Sequence, residues 1–185
     1  MPEERLWTTF FDVESILSWL EVNASVHDLM EVGCGYGTFT IAAAKKISGV
    51  VHAFDIESEM ISGTRNKSDS NRLKNIHLHH RDILANGSGL SAGSLDYAML
   101  FNILHLENPN ELLSEVLRVL KPGGKTGIIH WRSDIETPRG PELSIRPTPE
   151  QCVEWAFQSG FRIAKEPEIL EPFHFGMIIQ KPLYY

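Results

Sequence analysis

Three glycines at alternate positions follow an acidic residue and a short apolar run in the first third of the chain. Residues 31–37 read Glu-Val-Gly-Cys-Gly-Tyr-Gly, and a helix is predicted to begin at Thr38. Glycine permits positive φ and has no side chain, so this loop can turn sharply and approach a ligand closely. The N-terminus of the following helix favours an anionic group such as a carboxylate. The spacing indicates a ligand-binding loop, although a tight turn without a ligand would use the same glycines.

Acidic residues also follow the next two apolar runs of the sequence. Asp55 comes directly after the run 50–54, and Asp82 follows the run 76–78. An adenosine lying across the carboxyl edge of a sheet would place its ribose near Asp55, whose carboxylate can accept from both hydroxyls. An NAD-dependent enzyme uses an acid at the same place, and an ordinary loop aspartate that caps the next helix would look alike. Asp55 alone therefore does not separate these classes.

Glu31 and Thr38 distinguish two kinds of glycine-rich loop. The dinucleotide-binding pattern requires a third glycine where this chain has Thr38. With its acid two residues before Gly33, the segment resembles motif I of the class I S-adenosylmethionine-dependent methyltransferases. Residues 120–125, Leu-Lys-Pro-Gly-Gly-Lys, resemble the helix-to-strand turn of the same family. The resemblance covers about residues 26–131, and the chain resembles the small-molecule type, in the broad group that includes the ubiquinone and menaquinone biosynthesis methyltransferases.

This resemblance implies S-adenosylmethionine as the cofactor and gives roles to the matching residues. Glu31 would lie near the methionine moiety, Asp55 at the ribose and Asp82 at the adenine amino group. Ile56 and Ile83 would pack on the two sides of the adenine ring. Phe101 and Asn102, after the fourth strand, would border the methionine part. The expected cofactor-binding residues are Glu31, Gly33, Cys34, Gly35, Gly37, Asp55, Ile56, Asp82, Ile83, Phe101 and Asn102.

A histidine after the fourth predicted strand is the candidate catalytic residue. In the resembling family the methyl group is activated by the sulfonium and transferred by in-line displacement, so no metal is expected. A general base is needed only for a proton on the acceptor. His105 lies in the loop that faces the methyl end in that family, and a neutral imidazole suits proton removal near pH 7. His130 and Trp131 are further candidates for the pocket wall, or ordinary residues of the sheet edge.

Short apolar runs alternate with amphipathic segments, which is typical of an α/β fold with helices on both faces of a parallel sheet. Segments 161–170 and 173–180 are joined by too few residues for a helical crossover, so an antiparallel hairpin is predicted there. Together with the resemblance, this predicts a Rossmann-like, doubly wound, mostly parallel seven-stranded sheet in a single domain over residues 1–185. The other predicted strands are 29–32, 50–54, 76–78, 95–101 and 126–131. The predicted helices are 12–22, 38–47, 58–66 and 109–120, and a later helix is predicted to start at Thr148-Pro149.

Composition and charge narrow the possible partners. The 185 residues include 24 acidic and 17 basic side chains, for a net charge of -7, which does not favour binding to nucleic acid. No apolar run approaches the roughly 20 residues of a membrane helix, and no signal peptide is recognised. Cys34 and Cys152 fit neither a disulfide framework nor a metal site. The sequence therefore predicts a cytoplasmic protein without membrane insertion that acts on a small-molecule acceptor.

Several alternatives remain open at this stage. A protein with the same motifs could bind S-adenosylmethionine without catalysis, as a regulatory or assembly subunit, and an NAD-dependent oxidoreductase is a less favoured possibility. The arginines of segment 132–146 could clamp an anionic acceptor or lie in a solvated loop. Trp7, Phe10 and Phe11 could close the pocket or pack the first helix. The acceptor atom and the oligomeric state are not predicted.

Overall fold

Seven strands form one sheet in the computed structural model, which describes residues 8–183. They are β1 (Leu29–Val32), β2 (Val51–Asp55), β3 (Ile76–His80), β4 (Leu95–Phe101), β5 (Leu120–Trp131), β6 (Arg162–Leu170) and β7 (His174–Gln180). Their order across the sheet is β3-β2-β1-β4-β5-β7-β6. Strands β1 to β5 are parallel, and β7 is antiparallel to both β5 and β6. The predicted mostly parallel sheet with a C-terminal hairpin is confirmed.

Six α-helices connect or precede these strands. They are α1 (Val13–Trp19), α2 (Thr38–Lys46), α3 (Ser58–Ser70), α4 (Ile83–Asn86), α5 (Pro109–Val119) and α6 (Pro149–Gln158), with short 3-10 helices at Thr8–Phe10 and Leu143–Ile145. Within residues 8–183, no helix has both the length and the apolar character needed to cross a membrane.

Helices cover both faces of the sheet because alternate side chains of a strand point to opposite faces. Leu29 of β1 belongs to the buried cluster that includes residues of α1 and α2, such as Leu17 and Ala43. Its neighbour Met30 belongs to the second cluster, which includes Leu112 of α5 and other residues of that helix. The strands of the central sheet are therefore buried on both faces, as the continuous apolar runs predict.

Strand β5 begins six residues earlier than the sequence analysis predicts. Helix α5 does end before Lys121, but Leu120 already pairs with Leu95 of β4, and the next paired residue is Lys125, opposite Tyr97, so residues 121–124 form a bulge at the start of β5. The register between β4 and β5 shifts in this region, between Leu95 and Tyr97. Lys121 Nζ lies 2.8 Å from Asp96 Oδ1, an ion pair that holds the segment against β4. Helix α3 also extends to Ser70, and the short helix α4 was not predicted.

The carboxyl ends of β1 to β4 lie at one edge of the sheet because these strands are parallel. The chain crosses from one side of β1 to the other between β3 and β4, so the loops after β1 and β4 diverge there. In open α/β sheets a crevice forms at such a reversal and binds ligands. The fold therefore brings the loops after β1, β2, β3 and β4 to the place where a site is expected.

The space around Gly127 in β5 is tightly packed. A Cβ at this position would lie 2.5 Å from the Tyr97 hydroxyl oxygen and 3.2 Å from the Leu20 side chain. Tyr97 is buried and its hydroxyl donates to the Leu20 carbonyl at 2.6 Å. We predict that Gly127→Ala lowers the free energy of unfolding by about 1–3 kcal/mol, because the added methyl overpacks the core. Urea unfolding measures this change.

Gly63 provides the matched control for this substitution. It lies within helix α3, and no atom lies within 4 Å of a Cβ added there. Gly63→Ala should raise the free energy of unfolding by about 0.5–1 kcal/mol through helix propensity. Equal effects of the two substitutions would contradict the packing described for Gly127.

Candidate functional site

A cavity of about 440 Å³ opens at the carboxyl edge of the sheet, between the loops that follow β1, β2, β3 and β4. Four separate segments of the chain meet around it. The candidate base and every residue predicted to bind the cofactor except Gly37 line this cavity, and these residues are Glu31, Gly33, Cys34, Gly35, Asp55, Ile56, Asp82, Ile83, Phe101, Asn102 and His105. The sequence therefore identified residues that the fold places together.

The glycine-rich loop is held in a fixed shape by backbone hydrogen bonds. The amides of Gly33 and Cys34 both donate to the Phe54 carbonyl at 2.9 Å, which ties the loop to the end of β2. The Cys34 side chain is buried, and this burial raises the pKa of its thiol above the usual range. Cys34 therefore fills space in the loop as a neutral thiol.

Gly37 was predicted to bind the cofactor but does not line the cavity. It immediately precedes α2 and has a φ of 73°, in the left-handed region that glycine adopts readily. A Cβ here would lie 2.7 Å from the Thr64 side chain, whose hydroxyl donates to the Gly35 carbonyl at 3.1 Å. Gly37 thus allows α3 to pack against the loop, and this packing shapes the wall of the cavity.

Asp55 joins the loop after β1 to the loop after β2. Its Oδ2 accepts from the Gly35 amide at 2.8 Å, and its Oδ1 accepts from the Glu57 amide at 2.9 Å. Each carboxylate oxygen has more than one lone pair, so both oxygens can also accept from a ligand. The predicted ribose-binding role and a loop-fixing role are compatible at this residue.

Asp82 lines the cavity from the loop after β3. Its Oδ1 caps α4 by accepting from the amides of Leu84 and Ala85 at 2.9 and 3.1 Å. Two apolar side chains beside it are unusually accessible: Ile56 is 67% exposed and Leu84 is 43% exposed. Exposed apolar side chains next to an acid suit a flat ring that carries a hydrogen-bond donor.

Glu31 carries the most strongly perturbed carboxyl group that lines the cavity. It is buried, and its Oε2 accepts from the Thr40 hydroxyl at 2.5 Å. Burial raises the pKa of Glu31 to about 8; the Thr40 hydrogen bond opposes this shift, and the negative charge of Asp55 adds to it. A positively charged ligand in the cavity would favour the ionised form of Glu31.

Asn102 and Thr38 contribute polar groups that lack partners. Both nitrogen and oxygen of the Asn102 amide, and the Thr38 hydroxyl, are buried without a hydrogen bond to any residue in the range 8–183. Both residues line the cavity. Asn102 also has a φ of 55°, which is uncommon for a residue other than glycine. Buried polar groups are normally paired, so these atoms indicate a polar ligand.

His105 lines the cavity from the loop after β4. The side chain is half-buried, and this burial lowers the pKa of His105 below its ordinary value. Its Nδ1 lies 3.3 Å from Nε2 of His130, which is fully buried at the end of β5. His130 and Trp131 do not line the cavity themselves.

Two of the three arginines of segment 132–146 have their guanidinium groups engaged within the segment. Arg146 is buried, and its guanidinium donates to the carbonyls of Pro141 and Arg132 at 2.8 and 2.9 Å. Arg132 pairs with Asp134, with Nη2 and Oδ2 2.8 Å apart. These contacts organise the segment itself, and none of the segment's residues lines the cavity.

The N-terminal aromatic residues pack the core within the described part of the chain. Phe10 and Phe11 are buried against Trp131, with ring centroids 5.5 and 6.3 Å from it. Phe11 also contacts Phe39, which does line the cavity, at 5.2 Å. These residues support the cavity wall from behind. Trp7 lies outside the described residues.

Several lining residues were not identified from the sequence. Most of them are apolar, and a signal existed only for Thr38, which begins a helix directly after the glycine-rich loop. The additional lining residues are Val32, Thr38, Phe39, Phe54, Glu57, Met60, Arg81, Leu84, Ile103, Leu106 and Leu112.

Comparison with known proteins agrees with this geometry. Residues 29–124, just over half of the chain, match a family model described as a methyltransferase domain. The chain therefore belongs to the class I S-adenosylmethionine-dependent methyltransferases, as its motifs predict. The cofactor of this family is S-adenosylmethionine.

Curated relatives are similar over the same region. A demethylmenaquinone methyltransferase of Geobacillus sp. (strain WCH70) is 30% identical over 99 residues, which are 52% of this chain and 42% of that protein. One from Lactobacillus johnsonii is 33% identical over 104 residues, 54% of this chain and 42% of the relative. The chain thus matches less than half the length of these curated relatives.

Solved structures share the fold across nearly the whole chain. An S-adenosylmethionine-dependent methyltransferase from Aquifex aeolicus has a TM-score of 0.83 and 24% identity, covering 92% of this chain and 90% of that one. The [4+2]-cyclase SpnF has a TM-score of 0.77 and 15% identity, covering 92% and 80%. At these identities the similarity establishes the architecture and not the reaction.

The burial of Glu31 predicts a specific pH dependence of stability. Because its pKa in the folded protein, about 8, exceeds the ordinary value of 4.5, the protonated form stabilises the fold fully below pH 4.5. This contribution is lost as pH rises towards 8, with a slope of at most about 1.4 kcal/mol per pH unit. Glu31→Gln should lose this slope, as measured by urea unfolding of both proteins at several pH values. Parallel pH profiles for the two proteins would contradict the assignment.

Proposed function

We propose that this chain transfers a methyl group from S-adenosylmethionine to a small-molecule acceptor by in-line displacement. The observation that carries this proposal is the pairing of unpartnered buried polar atoms, on Asn102 and Thr38, with a cavity lined by the predicted acidic residues. The cofactor has a charged amino-acid end, a ribose and an adenine, and the cavity has polar or apolar groups suited to each. Membership of the methyltransferase family supports the same conclusion.

The motifs assign each of these residues to one part of the cofactor. Glu31 would face the positively charged methionine end, where its ionisation is favoured by a nearby cation. The N-terminus of α2, with the Thr38 hydroxyl, would hold the carboxylate through its unpaired N–H groups. The Asn102 amide would complete the same end.

The nucleoside end would be held by the other two acids and the exposed apolar side chains. Asp55 would accept from the ribose hydroxyls while keeping the Gly35 and Glu57 amides. Asp82 would accept from the adenine amino group through Oδ2, because Oδ1 caps α4. Ile56 and the residues that follow Asp82 would pack on the ring faces.

The net charge of the chain and the names of its curated relatives support a small acceptor. The chain has a net charge of -7, which disfavours the phosphate backbone of a nucleic acid. The curated relatives described above are named for a small quinone precursor, demethylmenaquinone. These observations support a small-molecule substrate.

The chain's own contribution to the reaction is alignment and removal of a proton. When bound, S-adenosylmethionine supplies a methyl group whose bond to the sulfonium breaks with its electron pair remaining on sulfur. The walls of the cavity hold the acceptor in line, an effect that contributes on the order of 7–11 kcal/mol in favourable systems. His105 is the proposed base for the proton that the acceptor loses.

The variant Asn102→Gly is expected to weaken cofactor binding without lowering the stability of the fold. We predict at least about tenfold weaker binding of S-adenosylmethionine, because the amide contributes hydrogen bonds worth about 1 kcal/mol each and orders the loop. The free energy of unfolding should stay equal or rise, since glycine tolerates the φ of 55° and removes a buried unpaired amide. Isothermal titration calorimetry and urea unfolding measure the two effects.

Arg72→Gly is the matched control for this variant. Arg72 also has a positive φ, 56°, but it is exposed and does not line the cavity. Its replacement should leave the affinity for S-adenosylmethionine unchanged. Absence of binding to the wild-type protein, or full affinity in Asn102→Gly, would overturn the proposed site.

Methyl transfer itself is tested with a labelled cofactor. The protein is incubated with methyl-labelled S-adenosylmethionine and fractions of a metabolite extract, and we expect label in a low-molecular-mass fraction. Label in added RNA or protein would replace the proposed acceptor class. Cofactor binding without label in any fraction would favour a non-catalytic subunit, or a different reaction such as that of the cyclase with this fold.

A further inference from the structure

Two histidines connect the cavity to the interior of the sheet. His105 Nδ1 and His130 Nε2 are 3.3 Å apart, and the two rings are inclined by 73°. His105 lines the cavity, whereas His130 is fully buried within β5. A contact of this kind between two ring nitrogens is favourable only when one of them carries a proton and the other does not.

The position of the proton on His130 follows from its second contact. His130 Nδ1 lies 3.3 Å from the Trp131 carbonyl oxygen. A carbonyl can only accept, so Nδ1 of His130 carries the proton in this arrangement. Burial lowers the pKa of His130 to about 3, so its ring is neutral and holds one proton only. Its Nε2 is therefore a hydrogen-bond acceptor.

His105 must then donate its Nδ1–H to this acceptor. We propose that His130 is a positioning residue that holds His105 in the Nδ1–H form, leaving Nε2 of His105 unprotonated as the base for the methyl acceptor. The inference rests on the proposed function for the identity of the reaction. The tautomer itself follows from the contacts among His105, His130 and Trp131.

The proton balance of the step is simple. As a lone pair of the acceptor forms the bond to the methyl carbon, the carbon–sulfur pair stays on sulfur and the acceptor's proton moves to His105 Nε2. His105 is then an imidazolium whose Nδ1–H is still donated to His130. His130 neither gains nor loses a proton, and the proton on His105 leaves to solvent afterwards.

The groups around the two rings favour His105 over His130 as the residue that accepts the proton of the methyl acceptor. The positive charge of Arg146, from the segment after β5, disfavours a second proton on His130. His174 on β7 interacts with His130 electrostatically, and burial lowers the pKa of His174 to about 3, so it remains neutral. His105 itself is only partly buried and faces the cavity. Among these groups, His105 is best placed to accept a proton.

Long-range ¹H–¹⁵N correlation spectra of the labelled protein test the tautomer directly, without any acceptor. At about pH 8, where histidine is neutral, His105 should show a pyrrole-like shift at Nδ1 and a pyridine-like shift at Nε2. In His130→Leu the acceptor is lost, and the two shifts should exchange because an isolated imidazole favours Nε2–H. His130→Gln, whose side-chain carbonyl can accept, should retain the Nδ1–H form.

A second pair of contacting histidines in the sheet provides a matched control. His52 Nδ1 lies 3.3 Å from His79 Nε2 on β2 and β3, and neither residue lines the cavity. His52→Leu should leave the His105 signals unchanged, and His105→Gln assigns those signals by their disappearance.

The outcomes separate this inference from the proposed function. An Nε2–H tautomer of His105 in the wild-type protein, or an unchanged tautomer in a folded His130→Leu variant, would overturn the positioning role even if S-adenosylmethionine binds. Failure to bind S-adenosylmethionine together with the Nδ1–H tautomer would instead overturn the proposed function alone. The wild-type spectrum decides the tautomer even if His130→Leu does not fold.

Discussion

The hydrogen bond from the Gly35 amide to the Asp55 carboxylate links the two loops on which the site depends. It joins the loop after β1 to the loop after β2 at 2.8 Å, and the same carboxylate holds the Glu57 amide at the start of α3. With these loops fixed, α2 and α3 begin at defined positions, and Thr64 of α3 can contact the glycine-rich loop. The geometry of the cavity follows from this link, because the other lining loops come from strands already paired with β1 and β2.

Burial then gives similar groups in the site different properties. Glu31 and Asp55 are both carboxylic acids beside the same loop, but Glu31 is buried and its pKa rises to about 8, whereas Asp55 accepts two backbone amides. His105 and His130 are in contact, but only His130 is fully enclosed by the sheet. Two residues of the same type can therefore differ in this site because one of them is buried and the other is not.

The elements with strong periodic or apolar patterns were predictable, and the errors lie where tertiary contacts override local signals. The Pro-Gly-Gly segment at 122–124 predicted a turn before the strand, but it is a bulge within β5, because Leu120 already pairs with β4 and the Lys121–Asp96 ion pair holds the segment there. Helix α4 has only four residues, too few to show a pattern. The arginines near residue 140 suggested an anion site, but Arg146 binds backbone carbonyls because its segment folds around it.

The sequence alone predicted the class of fold and half of the residues that line the cavity, because glycine spacing and acids at strand ends are local features. These residues meet in one cavity because the strands are parallel and lie in this order. The sequence indicates the order of the strands only through its resemblance to the methyltransferase family. The tertiary structure decided which polar atoms lack partners, as at Asn102, and which titratable groups are buried. It also decided that His130 contacts His105, because residues from β5 and from the loop after β4 meet only when the two strands pair.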